Sequence, residues 1–168
     1  MKLKIINEKD IVKIKEIYEE AFPENERIDF YQLLKGASPN GKLYGLYEKD
    51  MPLGLCYLNL EETFCYLVYF AIDKDKRNLG YGGLALSLIK KKFKKPITLC
   101  VENPTTELKK RRIEFYKRNN FIMADFEFEY LNEKYYVMHT GEINKDKFIE
   151  TMLLYFPGCT NFKKRDID

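Results

Sequence analysis

One segment in the middle of the chain constrains the fold more than any other, because it joins a buried strand to a polar loop and a glycine-rich helix start. Residues 63–72 form a continuous apolar and aromatic run, which is typical of a central strand covered on both faces. Residues 73–79 are polar, and Gly80, Gly82 and Gly83 then open a helical pattern. Glycine lets backbone N–H groups approach a ligand closely, and a helix N-terminus supplies free donors with a partial positive charge. The segment therefore predicts a site for an anion such as a pyrophosphate.

One kind of cofactor that could use such a site is a dinucleotide. The residues from Gly80 to Ala85 satisfy G-x-G-x-x-A, the fingerprint of dinucleotide-binding folds, and Glu102 lies about twenty residues further on, where a ribose-binding acid is expected. That fingerprint places its first glycine almost directly after the strand, whereas seven residues, 73–79, intervene here. The spacing therefore disfavours a nicotinamide-nucleotide-dependent oxidoreductase, which we keep as an alternative.

Hydrophobic periodicity places the other elements around this segment. Strands are predicted at 2–6, 42–48, 53–60, 97–101, 122–130 and 134–140. Helices are predicted at 10–21, 80–93, 105–119 and around 148–156, and a further short helix is expected to end at Lys35. The last ten residues are expected to form a frayed tail. Because strands and helices mix without strict alternation, we expect an α+β fold with a mixed, mostly antiparallel central sheet flanked by helices.

The loop and the helix start resemble motif A of the GNAT (GCN5-related N-acetyltransferase) superfamily, R/Q-x-x-G-x-G/A. Arg77, Gly80 and Gly82 match this motif, and Ile72 stands at the aliphatic position five residues before the arginine. Asn78 stands where the family often has a second glycine. Short glycine motifs arise by chance, so the assignment needs a second motif in the right order.

That second motif follows one strand later. Residues 112–121 read Arg-Ile-Glu-Phe-Tyr-Lys-Arg-Asn-Asn-Phe and resemble motif B of the same superfamily, whose core is F-Y-x-x-x-G-F. Asn120 replaces the glycine, and asparagine is the best substitute at a left-handed position. The resemblance is tight over residues 67–121 and looser over 2–140. It implies a GNAT-like fold in a domain of residues 1–141. It does not cover the helix and tail of 142–168, which we expect to pack on the same domain.

The resemblance also implies a cosubstrate and the residues that bind it. The cosubstrate would be acetyl-CoA, without a metal, and the acetyl group would pass to a primary amine by direct attack in a ternary complex. The sheet would splay near Ile72 and Val101 to admit it. The implied binding residues are Phe70, Ala71 and Ile72 for the pantetheine arm, Arg77, Asn78, Leu79, Gly80, Tyr81, Gly82 and Gly83 for the pyrophosphate, and Asn103 at the next strand-to-helix junction.

Two residues are candidates for the chemistry. Motif B commonly places a tyrosine beside the sulfur of CoA, which makes Tyr116 the candidate proton donor to the leaving thiolate. Glu102 is the preferred candidate base, because ligands of open sheets gather at the carboxyl ends of strands. A cap or an exposed acid is an equally good interpretation of Glu102, and water can deprotonate the amine instead. His139, the only histidine, and Cys100 are expected to be structural.

Charge and cysteine content exclude other classes of protein. The 29 basic and 26 acidic residues leave a net charge of +3, too balanced for a domain that binds nucleic acid through a basic surface. The four cysteines form no C-x-x-C pair, so neither a zinc site nor a redox motif is expected. No apolar stretch approaches the ~20 residues of a membrane span, and the start of the chain lacks a signal-peptide core, so we expect a cytoplasmic protein.

The partners follow from the same resemblance. The acceptor would be an amine on a small molecule or a peptide, and the connector at residues 23–27 lies where the family places its acceptor-binding loop. The C-terminal helix is a candidate homodimer contact. A non-catalytic acyl-CoA-binding or regulatory module is the second alternative, because motif A would persist in it without a role for Tyr116 or Glu102.

Overall fold

The computed structural model describes residues 1–165, which contain eight β-strands and five α-helices. The strands are β1 (Lys2–Lys4), β2 (Gly41–Glu48), β3 (Met51–Leu60), β4 (Cys65–Ile72), β5 (Ile97–Glu102), β6 (Ile122–Tyr130), β7 (Glu133–His139) and β8 (Thr160–Lys164). The helices are α1 (Ile11–Ala21), α2 (Phe30–Lys35), α3 (Tyr81–Phe93), α4 (Glu107–Arg118) and α5 (Lys145–Tyr155). The chain divides into two compact units, Met1–Lys94 and Lys95–Asp168.

The first unit carries helices on both faces of a four-stranded sheet. Its strands follow the order β1-β2-β3-β4, and each pairs with its neighbour in antiparallel fashion. Side chains of a strand alternate between faces. Accordingly, Tyr69 and Ala71 of β4 join the core beneath α1 and α2, whereas Ile72 packs with Ala85 of α3. This double coverage explains the uninterrupted apolar sequence of β4.

The second unit has the strand order β5-β7-β6-β8, again with antiparallel pairing throughout. Its core is strongly aromatic. The ring of Phe128 stacks on Tyr135 and on Phe162, with centroids 5.6 Å and 5.2 Å apart, and Phe126 meets Phe148 of α5 edge-on at 5.7 Å. Such pairs contribute beyond the area that they bury. The contacts of Phe148 and Phe162 pack α5 and β8 against this sheet.

The predicted class, an α+β fold with a mostly antiparallel sheet, is confirmed. The predicted elements are present, with ends displaced by one to three residues at most positions. Asn120 has a φ of 62°, as predicted for a left-handed position. Within residues 1–165, no helix combines the length and the apolar composition that crossing a membrane requires.

The prediction of a frayed C-terminal tail was wrong for residues 160–164, which form β8. The sequence of this strand is polar except for Phe162, so its pattern gave no sign of pairing. The strand forms because Phe162 stacks on Phe128, and because Arg165 donates from Nε to the carbonyl of Ala124 at 3.1 Å. The rest of the expected tail, residues 166–168, lies outside the described residues.

Candidate active site

Residues 73–80, called the anion loop from here on, connect β4 to α3. The loop starts with Asp73, whose backbone N–H donates to the carbonyl of Leu53 at 2.8 Å. A short 3-10 turn, Lys74–Lys76, follows, and Asn78 and Gly80 then adopt left-handed φ angles of 62° and 83°. Two left-handed residues within three positions turn the chain sharply into the axis of α3.

The N-terminus of α3 has no side-chain cap. Its cap residue is Gly80, and its first turn contains no acidic residue. By contrast, the side chains of Asp29, Thr106 and Asn144 accept hydrogen bonds from backbone N–H groups at the starts of α2, α4 and α5. The first N–H groups of a helix have no partner within it and carry the positive end of the helix dipole. The start of α3 therefore presents uncapped donors, as a site for an anion requires.

Position 80 needs a glycine because of its backbone conformation and not because a side chain would lack room. A Cβ atom built on it would meet nothing within 4 Å, but its φ of 83° is one that other residues rarely adopt. Gly82 and Gly83 lie inside the first turn of α3, and neither is among the residues with positive φ. Neither has a side chain that could cover the first-turn amides.

The side chain of Arg77 folds back on the strand that precedes it. Its Nε donates to the carbonyl of Ile72 at 3.0 Å, across the base of the anion loop. Tyr81, the first residue of α3, donates from its hydroxyl to Glu48 of β2 at 2.6 Å. These two bonds hold the two ends of the loop, so both residues shape it through their side chains.

Two ion pairs attach the loop to α1, and sequence patterns gave no sign of either. Lys13 Nζ lies 2.7 Å from the carboxylate of Asp73, and Lys74 Nζ lies 2.5 Å from that of Glu20. The hydrogen bond from Lys13 holds the pKa of Asp73 below its ordinary value, and the same bond raises the pKa of Lys13. Both groups therefore stay charged over the neutral range.

In the second unit, Tyr116 projects from α4 among aromatic rings. Its ring centroid lies 5.2 Å from that of Phe115 and 5.4 Å from that of Phe121. Burial raises the pKa of Tyr116 to about 12, so the phenol is protonated at neutral pH. Within residues 1–165 its hydroxyl makes no hydrogen bond, so it can donate one to a ligand.

Glu102 ends β5 and is engaged by α4. Its two carboxylate oxygens lie 3.2 Å from Lys109 Nζ and 3.1 Å from Arg112. The next residue, Asn103, accepts a hydrogen bond from the hydroxyl of Tyr136 at 3.2 Å. Both oxygens of Glu102 are therefore paired with cations of α4.

His139 lies at the other end of β5 from Glu102. In the register of β5 and β7, His139 faces Thr98, whereas Glu102 faces Tyr135. The two positions are four steps apart along the strand, about 13 Å at the usual rise per residue. His139 and Glu102 therefore do not form a pair.

The connector between α1 and α2 is fixed by a tyrosine that sequence reasoning missed. Tyr69 donates to the carbonyl of Glu26 at 2.8 Å and accepts from the N–H of Ile28 at 3.2 Å. Tyr18 donates to the carbonyl of Ile28 at 2.9 Å. Because Tyr69 belongs to β4, the strand that leads into the anion loop also holds this connector in place.

Comparison with known proteins decides the family. The sequence profile of the Acetyltransferase (GNAT) family matches residues 11–121, which include both motifs and more than half of the chain. The chain belongs to this family. Among curated proteins, none matches the sequence significantly.

Solved structures agree with this GNAT assignment. A protein from Bacteroides thetaiotaomicron assigned to the GNAT acetyltransferases is 25% identical, with a TM-score of 0.77 over 93% of this chain and 98% of the other. An aminoglycoside 6'-N-acetyltransferase complexed with coenzyme A is 12% identical, with a TM-score of 0.68 over 86% and 99%. The ribosomal-protein-S18-alanine N-acetyltransferase from Escherichia coli is 14% identical, with a TM-score of 0.63 over 86% and 97%. The last two show similarity of fold.

Proposed function

We propose that this GNAT protein is an acetyl-CoA-dependent N-acetyltransferase that acts on a primary amine by direct attack in a ternary complex. One observation carries the proposal: the uncapped N-terminus of α3, after the left-handed Gly80, lies within the matched family segment. The structural neighbour complexed with coenzyme A supports the choice of cosubstrate.

The anion loop and the start of α3 supply the proposed phosphate contacts. The backbone amides of residues 79–83 would bind the pyrophosphate of CoA, and the edge of β4 at Phe70, Ala71 and Ile72 would pair with the pantetheine arm. Asn78 and Arg77 shape the loop through a left-handed φ and a bond to Ile72. Asn103 is a further proposed contact for CoA, as the family resemblance implies.

The proposed reaction forms one C–N bond and breaks one C–S bond. A neutral amine attacks the thioester carbonyl, donors stabilise the oxyanion, and CoA leaves as a thiolate that must gain a proton. Tyr116 is our candidate donor. Its pKa of about 12 makes it a weaker acid than a thiol at about 8.5, so it would hydrogen-bond the developing thiolate and replace any proton it gives from the acylated ammonium.

Glu102 is the less favoured part of the proposed site. Its ion pairs with Lys109 and Arg112 occupy both oxygens, and they join β5 to α4. Deprotonation of the amine by water agrees better with this arrangement than deprotonation by Glu102. We therefore propose that Glu102 holds α4, and with it Tyr116, in position.

Calorimetry and turnover assays test the proposed function. CoA, acetyl-CoA and NADH are titrated into the full chain, and a panel of small-molecule and peptide amines is then screened with acetyl-CoA by detection of the free thiol. We expect CoA and acetyl-CoA to bind, NADH not to bind, and one class of amine to release thiol. No CoA binding at millimolar concentration would refute the proposal, and binding without turnover across the panel would favour a non-catalytic acyl-CoA-binding module.

A further inference from the structure

Asp73 connects three parts of the first unit through its carboxylate and its backbone N–H. One oxygen accepts a hydrogen bond from the N–H of Asp75 at 3.1 Å and so caps the turn inside the anion loop. The other oxygen lies 2.7 Å from Lys13 Nζ on α1. The backbone N–H of Asp73 is bonded to Leu53 of β3. With 7% of its surface exposed, Asp73 is the most buried residue of a loop that is otherwise exposed.

The ion pair between Glu20 and Lys74 is a second contact of α1 with the loop, two turns further along the helix than the pair between Lys13 and Asp73. Lys13 and Glu20 are seven positions apart, so they lie on the same face of the helix at 3.6 residues per turn. They meet Asp73 and Lys74, which are adjacent in the loop. The charges alternate on both sides: a cation of α1 faces an anion of the loop, and an anion of α1 faces a cation of the loop. This complementarity fixes the direction of the loop along α1 as well as its distance.

We propose that Lys13 is a positioning residue for CoA, which orients the anion loop through Asp73 while Glu20 supplies a second contact through Lys74. This inference rests on the proposed function. Lys13 acts through Asp73, since its ammonium group is engaged with that carboxylate. Because α1 continues into the connector held by Tyr69, the same helix also links the anion loop to the region where the family binds its acceptor.

The decisive experiment measures CoA affinity by calorimetry in four full-length variants. Lys13→Met removes the charge and keeps the length of the side chain, and Lys13→Arg restores the charge. Glu20→Gln removes the second contact. Lys15→Met is the matched control, because Lys15 lies on the same helix and forms a 2.8 Å ion pair with Glu19 that does not involve the loop. The unfolding temperature of each variant is measured without ligand.

For Lys13→Met we expect the dissociation constant of CoA to rise about 3- to 10-fold, within the range for groups coupled through one network of ion pairs and hydrogen bonds. Lys13→Arg should recover most of the affinity, Glu20→Gln should show a smaller loss, and Lys15→Met should bind like wild type. A purely structural role would instead lower the unfolding temperature of Lys13→Met and leave its CoA affinity unchanged.

The outcomes separate this inference from the proposed function. If wild type does not bind CoA, the proposed function itself fails. If wild type binds and folded Lys13→Met binds equally well, Lys13 is not a positioning residue. Should Lys13→Met not fold, Glu20→Gln decides: unchanged CoA affinity overturns the inference, and reduced affinity supports it. Equal losses in Lys13→Met and Lys15→Met would also overturn it, because they would indicate a general effect of charge on α1.

Discussion

At the scale of single residues, two asparagines replace glycines of the family pattern for the same reason. Asn78 and Asn120 both have a φ of 62°, in the left-handed region. Asparagine enters this region more readily than other residues with a side chain, because its short amide can hydrogen-bond locally. The departures from motifs A and B therefore keep the backbone that each motif requires.

Replacement of Asn78 tests this interpretation. Asn78→Val should destabilise the protein by about 1–2 kcal/mol, because a β-branched residue resists the left-handed conformation. Asn78→Gly is the control and should be neutral or nearly so. Urea unfolding measures the difference, and equal stability of the two variants would show that the φ of this residue is not constrained.

Tyr116→Phe tests the proposed proton donor. The ring and its contacts with Phe115 and Phe121 are retained, so acetyl-CoA affinity and stability should change little. We expect turnover to fall by roughly 10²-fold, at the lower end for general acid catalysis, since a phenol with a pKa of about 12 is a weak acid. The measurement is single-turnover release of thiol with an acceptor found in the amine panel. Turnover at the wild-type rate, with chemistry rate-limiting, would reduce Tyr116 to a packing residue.

At the scale of elements, the glycines at the start of α3 differ in what they are needed for: one for its backbone conformation, the other for its small size. Gly80 needs its left-handed φ, whereas Gly82 is helical, and we propose that it is small so that a ligand can approach. Glycine weakens a helix relative to valine. Under our proposal, the start of α3 is a less stable helix in return for access of a ligand to its backbone.

Gly82→Val should therefore have opposite effects on folding and on binding. The free energy of unfolding should stay the same or rise by a few tenths of a kcal/mol, since valine is the better helix former. CoA affinity should fall, because the side chain would stand between the first-turn amides and the pyrophosphate. Calorimetry and urea unfolding on one preparation give both values. Unchanged affinity would mean that the phosphates bind elsewhere.

The junction of β5 and α4 gives a second test at this scale. Glu102→Gln breaks the ion pairs with Lys109 and Arg112, which are only partly exposed, and should cost about 1 kcal/mol of stability. Turnover should fall less than tenfold if water deprotonates the amine. A loss of 10²-fold or more at unchanged acetyl-CoA affinity would instead identify Glu102 as the general base.

At the scale of the whole molecule, the proposed CoA binding would be linked to folding. A ligand that binds only the folded chain stabilises it by about 2.7 kcal/mol at one hundred times its dissociation constant. Thermal unfolding with acetyl-CoA should show a rise that grows with ligand concentration, and Gly82→Val should lose most of it. An equal rise with NADH would contradict the specificity that we propose.

The sequence by itself determined the class and the order of the main elements, and it predicted the place of the phosphate site that we propose. These follow from local patterns: the apolar run of β4, the helical spacing of α1 and α3, and glycines at fixed distances from Arg77. The family assignment, confirmed by the match over residues 11–121, rested on the same short-range signals. Backbone conformation depends mostly on neighbouring residues, so such features can be predicted from the chain alone.

Only the tertiary structure decided which charged side chains meet. Lysine, glutamate and aspartate are common throughout this chain, and nothing local distinguishes Lys13, which binds Asp73 sixty positions away, from Lys15, which binds Glu19 on its own helix. The partners of Glu102, the bonds of Tyr69 to the connector and the pairing of β8 are likewise contacts between elements. Their formation depends on how the backbone brings distant residues within a few ångströms, which residue patterns do not encode.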